Sequence, residues 1–109
     1  MARSDALQGA LPLLVLKILA RRGPMHGYAI TKHIETSSSE VLRVEEGSLY
    51  PALHRLEEAR LVKARGVVTP RNRRARVYEV TATGRRQLET VEKRWRTVTL
   101  AVGQVLERI

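Results

Sequence analysis

The chain of 109 residues contains no cysteine. A disulfide scaffold, a thiolate metal site and a cysteine nucleophile are therefore excluded, and the composition fits a reducing compartment. Histidine does not supply a metal site either, because the spacing of His26, His33 and His54 matches no known ligand pattern. We therefore expect neither a metal nor another cofactor.

Long apolar runs are also missing. The longest, ALPLLVLKILA at residues 10–20, is interrupted by Lys17 and is shorter than the roughly 20 apolar residues that a membrane-spanning helix needs. It also lacks the small-residue cleavage site of a secretory signal. Apolar residues nevertheless make up 43% of the chain, which indicates a globular protein with one core. We expect a cytoplasmic protein without a membrane partner.

Signatures of catalysis are equally scarce. Glycines occur singly, without a phosphate-binding loop. The glutamates at 45–46 and 57–58 are adjacent in sequence, so the two members of each pair point to different sides of a helix. No side chain looks like a nucleophile with its base. The sequence therefore argues against an enzyme.

Acidic residues are scarce in one segment above all. Residues 60–86 contain nine basic side chains and one acidic side chain, Glu79, which gives that segment a net charge of +8 out of the +9 of the whole chain. Within it, the stretch TPRNRRARVYEV (69–80) has four arginines in six residues. They are Arg71, Arg73, Arg74 and Arg76. Because such crowded charges repel one another, the segregated excess favours a nucleic-acid partner over a merely solvated surface.

Apolar spacing predicts three helices before this basic segment. Apolar residues recur at i, i+3, i+4, i+7 and i+8 from Leu11 to Leu19, which is one face of a helix that ends before Pro24. A second helix is expected over roughly residues 28–35. A third lies in EGSLYPALHRLEEARL (46–61), where Ser48 is predicted to be the N-cap and Pro51 to lie in the first turn.

Two strands are predicted on either side of the arginine cluster. They cover residues 61–68 and 77–80, and Pro70 and Asn72 supply the turn between them. The order helix, helix, helix, strand, basic turn, strand is that of a winged helix-turn-helix, whose third helix enters the major groove of DNA. The predicted fold class is therefore mainly α with a small β-hairpin.

A long last helix, which Thr81 can cap, is predicted to dimerise. Its apolar residues are separated by steps of 3 and 4 over three heptads. They are Leu88, Val91, Trp95, Val98, Val102, Val105 and Ile109, and we call this row the seam. Such a row packs along another helix, and a second copy of the chain is the commonest partner. We predict a DNA-binding domain at 1–81 and a dimerisation helix at 82–109, with Leu14 and Ile18 contributing to the interface. The alternative is that the seam folds back on the first helix of its own chain.

Three segments of the chain resemble the PadR-like family of bacterial transcriptional regulators. They are LPLLVLKILARRGPMHGYAI (11–30), VEEGSLYPALHRLEEARLV (44–62) and NRRARVYEVTATGRRQL (72–88). The short C-terminal part is similar to the smaller branch of the family, which has one long helix after the wing. The resemblance implies a homodimeric repressor whose two recognition helices read an operator with dyad symmetry.

The resemblance also implies a set of DNA-binding residues. On the third helix they are Ser48, Tyr50, Pro51 and His54; on the second, Tyr28 and Lys32; on the wing, Arg71, Arg73, Arg74 and Arg76. Two arginines have an open alternative. Arg76 could face DNA or a glutamate, and Arg55 could face DNA or pair with Glu58 or Glu45.

Trp95, the only tryptophan, lies on the seam. It either fills the dimer core or offers a flat stacking surface to a small aromatic or hydrophobic effector, to which members of the family can respond. Two other functions also stay open. One is a sequence-independent architectural protein whose affinity for nucleic acid depends wholly on phosphate contacts. The other is an interaction module without DNA binding, against which the arginine cluster argues.

Overall fold

A computed structural model describes residues 5–109, with side chains from Gly9 onward. Over this range the elements are α1 (Asp5–Arg22), β1 (Met25–His26), α2 (Gly27–Ser37), α3 (Glu46–Glu58), β2 (Val62–Val68), β3 (Arg74–Val80) and α4 (Ala82–Arg108). The predicted fold class is confirmed, because three helices precede the hairpin of β2 and β3 and a long helix follows it. None of the helices in this range is long and apolar enough to cross a membrane.

The core lies where α1 meets the other helices and the base of the sheet. The buried side of α1 consists of Leu11, Val15, Leu16 and Leu19. These residues pack with apolar side chains that every later helix and both long strands contribute. The contributing residues are Ile30, Ile34, Leu49, Leu53, Leu56, Val62, Tyr78, Val80 and Leu88. Tyr78 and Val80 anchor the return strand β3 on the helices.

The sheet has three strands, in the order β1-β3-β2, where a two-stranded hairpin was predicted. The additional strand β1 is only two residues long, and it pairs Met25 with Tyr78 and His26 with Val77. Two residues cannot show the alternation by which a strand is recognised in a sequence. Because β1 pairs with β3 and is followed directly by α2, it holds β3 beside the start of α2.

The predicted N-cap of α3 is wrong by three residues. The helix begins at Glu46, and Glu45 is the extended N-cap residue, without a side-chain capping bond. The backbone N–H of Ser48 donates to the carbonyl oxygen of Glu45 at 2.9 Å, so Ser48 already lies inside the first turn. Pro51 consequently lies inside the helix rather than in its first turn. A glutamate in the first turn is favoured by the helix dipole, which helps this earlier start.

The cap of α4 is confirmed. The Thr81 side-chain oxygen accepts a hydrogen bond from the Gly84 N–H at 3.0 Å. The same oxygen lies 2.8 Å from the carbonyl oxygen of Arg60 and 3.1 Å from that of Leu61, and the Thr81 N–H donates to the Leu61 oxygen at 3.0 Å. Thr81 therefore joins the start of α4 to the loop that follows α3.

The helix α4 extends well beyond the core. Its 27 residues correspond to about 40 Å, and the molecule measures 57 Å along its longest axis. The seam is buried at Leu88 and half-buried at Val91 and Trp95. Beyond these residues Val98 and Val102 are each 52% exposed and Val105 is 59% exposed. About half of the seam therefore has no cover within one chain.

Candidate nucleic-acid interface

A groove of about 910 Å³ separates the wing from the start of α2 and the first turns of α3. By the wing we mean β2, β3 and the turn at 69–73 between them. The groove exists because β1 brings the N-terminus of α2 beside β3. Six of the predicted DNA-binding residues line it. They are Tyr28, Tyr50, Arg71, Arg73, Arg74 and Arg76. Residues that are far apart in sequence thus share one surface.

The turn of the wing is held by its own hydrogen bonds. The Thr69 N–H donates to the Arg73 carbonyl oxygen at 2.8 Å, and the Asn72 N–H donates to the Thr69 oxygen at 2.8 Å. The Arg73 N–H donates to the Thr69 hydroxyl at 3.1 Å. Asn72 has a positive φ of 61°, a conformation that asparagine tolerates better than most residues. The turn is therefore well defined, and it projects its arginines outward.

Three of the four arginines in the cluster at 71–76 have no counter-charge among the side chains that the structure describes. Arg71, Arg73 and Arg74 are exposed, and within the part of the chain described with side chains none of them forms a salt bridge. Their mutual repulsion is therefore not compensated by the protein. Guanidinium groups pair well with phosphate oxygens, so this tip is suited to a nucleic-acid backbone.

The helix α3 has one buried and one exposed side, as the prediction required. Leu49, Leu53 and Leu56 are buried, while Tyr50, Pro51 and His54 are exposed and Ser48 is half-buried. His54 Nε2 lies 3.5 Å from the Glu58 carboxylate. The exposed side of α3 can therefore offer tyrosine and histidine to base edges.

Lys32 and Arg55 also lie on exposed surface. The Lys32 ammonium lies 5.5 Å from the centre of the Tyr28 ring and 3.8 Å from the Glu35 carboxylate. Arg55 forms no salt bridge with Glu45 or Glu58, the two partners suggested by the sequence, in the region whose side chains are described. Both cations are therefore available to a polyanion.

Sequence reasoning missed Gly27, which positions Tyr50. Gly27 is buried, and a Cβ placed on it would lie only 2.9 Å from the Tyr50 hydroxyl oxygen. Any side chain at this position would displace the tyrosine ring from the start of α2. The sequence does show a glycine at position 27, directly before Tyr28. It does not show that this glycine lies against Tyr50 in the folded protein.

Sequence reasoning also missed His26. Its Nδ1 accepts a hydrogen bond from the Ala29 N–H at 3.3 Å, which makes His26 the N-cap of α2. The same side chain lines the groove. Histidine is not among the residues usually preferred at an N-cap, so the pattern gave no reason to place it there.

Arg76 contacts a glutamate of its own chain, which is one of the two partners that the sequence left open. Its guanidinium donates to the Glu57 carboxylate at 2.9 Å and lies 6.0 Å from the centre of the Tyr78 ring. Burial raises the pKa of Tyr78, although the positive charge of Arg76 acts in the opposite direction. The fourth arginine of the cluster at 71–76 is therefore engaged at the junction between the wing and α3.

A second cavity, of about 590 Å³, lies between α1 and α4. Leu13, Leu14, Trp95 and Leu100 give it apolar walls. At its edge the Glu92 carboxylate accepts from Lys17 at 2.8 Å and from Arg96 at 2.7 Å. The hydrogen bonds from Lys17 and Arg96 hold the pKa of Glu92 below its usual value.

The first part of the seam packs on its own chain. Leu88 is buried in the core of its own chain, and the Trp95 ring approaches Gly9 of α1. The later seam residues stay exposed. Of the predicted contributors from α1, Leu14 lines the second cavity and Ile18 packs against the core. Among the described residues there is no group of histidine and carboxylate side chains that could hold a metal ion.

The sequence profile of the transcriptional regulator PadR-like family matches residues 15–90. Uncharacterized protein X of Lysinibacillus sphaericus is 27% identical over 108 residues, which cover 98% of this chain and 97% of that protein. A solved transcriptional regulator from Clostridium thermocellum has 25% identity and a TM-score of 0.83, covering 93% of this chain and 97% of its own. A PadR family transcriptional regulator from Eggerthella lenta has 31% identity and a TM-score of 0.80, covering 94% and 87%. The similarity therefore extends over nearly the whole chain.

Proposed function

The chain belongs to the PadR-like family of transcriptional regulators, and from this premise we propose that it is a homodimeric repressor of an operator with dyad symmetry. It is a DNA-binding regulator, and its relatives are regulators rather than enzymes. In the proposed complex α3 enters the major groove and the wing lies along the phosphate backbone or the adjacent minor groove. Such a protein acts in the cytoplasm, where the DNA is.

The observation that carries this proposal is the shared surface of α3 and the wing. Arg71, Arg73 and Arg74 project from the wing, with no counter-charge among the described side chains, on the groove that Tyr50 of α3 also lines. Phosphate contacts fix orientation and affinity, whereas contacts to base edges choose the sequence. We therefore assign affinity to the wing arginines and sequence choice to Ser48, Tyr50 and His54.

Dimerisation is the second part of the proposal. It is supported by the exposed valines of α4, which continue the seam past the end of the core. Two copies that pack along this row would present two α3 helices, as a dyad operator requires. Leu14 lines the same cavity as Trp95, and Ile18 follows it at i+4 on the same face of α1, so α1 can contribute to the interface.

The salt dependence of DNA binding tests the role of the wing. We expect the variant with Arg73→Ala and Arg74→Ala to bind the operator more weakly and with a less steep salt dependence. Each lost phosphate contact changes the slope of log K against log salt by about 0.9, hence by about 3.6 for two arginines in each of two protomers. The measurement is a titration at several salt concentrations, with a duplex selected by the purified protein from random sequences.

A variant with Lys93→Ala and Arg108→Ala is the matched control, because it removes two exposed charges from α4 and should leave the slope unchanged. Equal affinity of the wild-type protein for selected and random duplexes would instead support the sequence-independent architectural protein.

A reporter gene placed behind the selected site tests repression. If the protein is a repressor, transcription of the reporter is lower when the protein is present.

An effector is the remaining part of the proposal. The cavity between α1 and α4 has apolar walls and the half-buried Trp95 ring, so an aromatic or hydrophobic compound could stack there and shift the packing of the dimer. We expect such a compound to quench the fluorescence of Trp95 and to lower operator affinity at the same concentrations. If a broad panel of aromatic compounds causes no quenching, Trp95 serves core packing alone.

A further inference from the structure

Arg76 differs from the other wing arginines in what it contacts. Its guanidinium donates to Glu57 on the last turn of α3 at a distance of 2.9 Å. The Glu57 side chain is 26% exposed, whereas that of Arg76 is 60% exposed. The arginine therefore reaches from the wing to a carboxylate that is mostly covered.

The position of Arg76 in β3 explains this contact. Side chains alternate between the two faces of a strand, so Arg76 shares a face with Tyr78 and Val80, which are buried against the helices. Its backbone pairs with Gly66 in β2. Arg76 is thus the residue on the helix-facing side of β3 where the wing leaves the core.

Contact of Arg76 with a DNA phosphate would leave Glu57 without its partner. The bond lies at exposed surface, so its loss costs the modest amount typical of an exposed ion pair rather than that of a buried one. A charge-assisted hydrogen bond is also directional, so it fixes the wing at one angle to α3. A hairpin that leaves the core needs such support, because two strands alone are marginally stable.

We propose that Arg76 is a positioning residue that, through Glu57, fixes the angle between the wing and α3 and does not neutralise a phosphate. This rests on the proposed function, since the angle matters only if both elements engage one DNA duplex. With the angle fixed, the arginines of the turn and the exposed side of α3 meet the backbone and the major groove together. Arg76 therefore influences sequence preference, although it does not touch DNA.

The test compares Arg76→Gln with Arg73→Gln on a selected operator and on random duplex. For Arg73→Gln we expect the salt slope to become less steep by about 1.8 for a dimer. For Arg76→Gln we expect an unchanged slope, together with a loss of preference for the operator of up to about fivefold per protomer, the range of a partly exposed ion pair. Arg76→Lys, which can still reach a carboxylate, should retain part of the preference.

The partner residue gives an independent measurement. Glu57→Gln should lose the same preference as Arg76→Gln, and the double variant should be no worse than either single one, because both remove one interaction. Glu79→Gln is the matched control. It removes a carboxylate from β3, the strand that carries Arg76, but on the opposite face of that strand. Thermal unfolding and light scattering of each variant check that the fold and the oligomer are kept.

Two results would overturn the proposal. One is a fall in the salt slope for Arg76→Gln as large as that for Arg73→Gln, which would make Arg76 a phosphate contact. The other is unchanged operator preference in both Arg76→Gln and Glu57→Gln. The proposed function fails on different evidence, namely a wild-type protein without any operator preference or an Arg73→Gln variant with an unchanged slope.

Discussion

Replacement of Val102 by glutamate is expected to convert the dimer into monomers and to abolish operator binding. Val102 lies in the part of the seam that its own chain leaves uncovered, with 52% of its surface exposed. In the proposed dimer this surface packs against the partner helix. A carboxylate buried there without a counter-charge is strongly destabilising, and each protomer would contribute one.

Loss of the dimer removes DNA binding because each protomer contacts one half of a dyad site. A monomer forms half of the base contacts and half of the phosphate contacts. Specific binding exceeds non-specific binding by roughly 10³–10⁷ for a complete site. We therefore expect the preference for the operator to fall by orders of magnitude, while weak non-specific binding through the wing remains.

Light scattering and an operator titration check the two halves of this prediction. Gln104→Glu is the matched control, because this substitution introduces the same charge. At helical spacing residue 104 lies on the opposite side of α4 from Val102. The control should remain dimeric and bind DNA. If Val102→Glu also scatters light as a dimer, the seam is not the interface.

The seam illustrates how far the sequence alone could predict this structure. The steps of 3 and 4 from Leu88 to Ile109 correctly predicted a single long helix with an apolar stripe. They did not show that Leu88 and Trp95 pack on α1 of the same chain while Val98 and Val102 stay open. Which seam residues are covered depends on how far α1 reaches along α4. This is a property of the tertiary structure, and no local sequence pattern reveals it.

The candidate site shows the same limit. The charge excess correctly located the wing, and helical spacing separated Leu49 and Leu53 from the exposed side of α3. The contact between Arg76 and Glu57 joins residues 19 positions apart, and the contact between Gly27 and Tyr50 joins two separate helices. Each contact joins residues of separate elements that only the tertiary fold brings together, so neither has a local pattern in the sequence.

The junction at the start of α4 gives the second large effect. The sequence TATG (81–84) places Gly84 three residues after the cap, where its N–H donates to the Thr81 hydroxyl at 3.0 Å. A Cβ on Gly84 would clash with the carbonyl oxygen of Leu61 and would lie 2.8 Å from a methyl carbon of Val80. The Leu61 oxygen is backbone, and it also accepts the Thr81 N–H, so it cannot move without disturbing the cap.

Gly84→Ala is therefore expected to destabilise the protein strongly. In an open helical position alanine would stabilise by about 1 kcal/mol over glycine, whereas overpacking costs about 1–3 kcal/mol or more. Because the contact is with backbone, we expect overpacking to prevail with a net loss of about 2 kcal/mol. For a domain of this size the loss lowers Tm by roughly 10 °C.

Gly103→Ala is the matched control for this substitution, because it lies in the same helix and its Cβ would meet nothing within 4 Å. It should raise Tm slightly, through helix propensity alone. Both variants are to be compared with the wild-type protein at one concentration, since a dimer gains stability by mass action. A Tm for Gly84→Ala equal to or above that of the wild-type protein would mean that α4 does not press against the Leu61 backbone, and that only the Thr81 hydrogen bonds join α4 to the loop after α3.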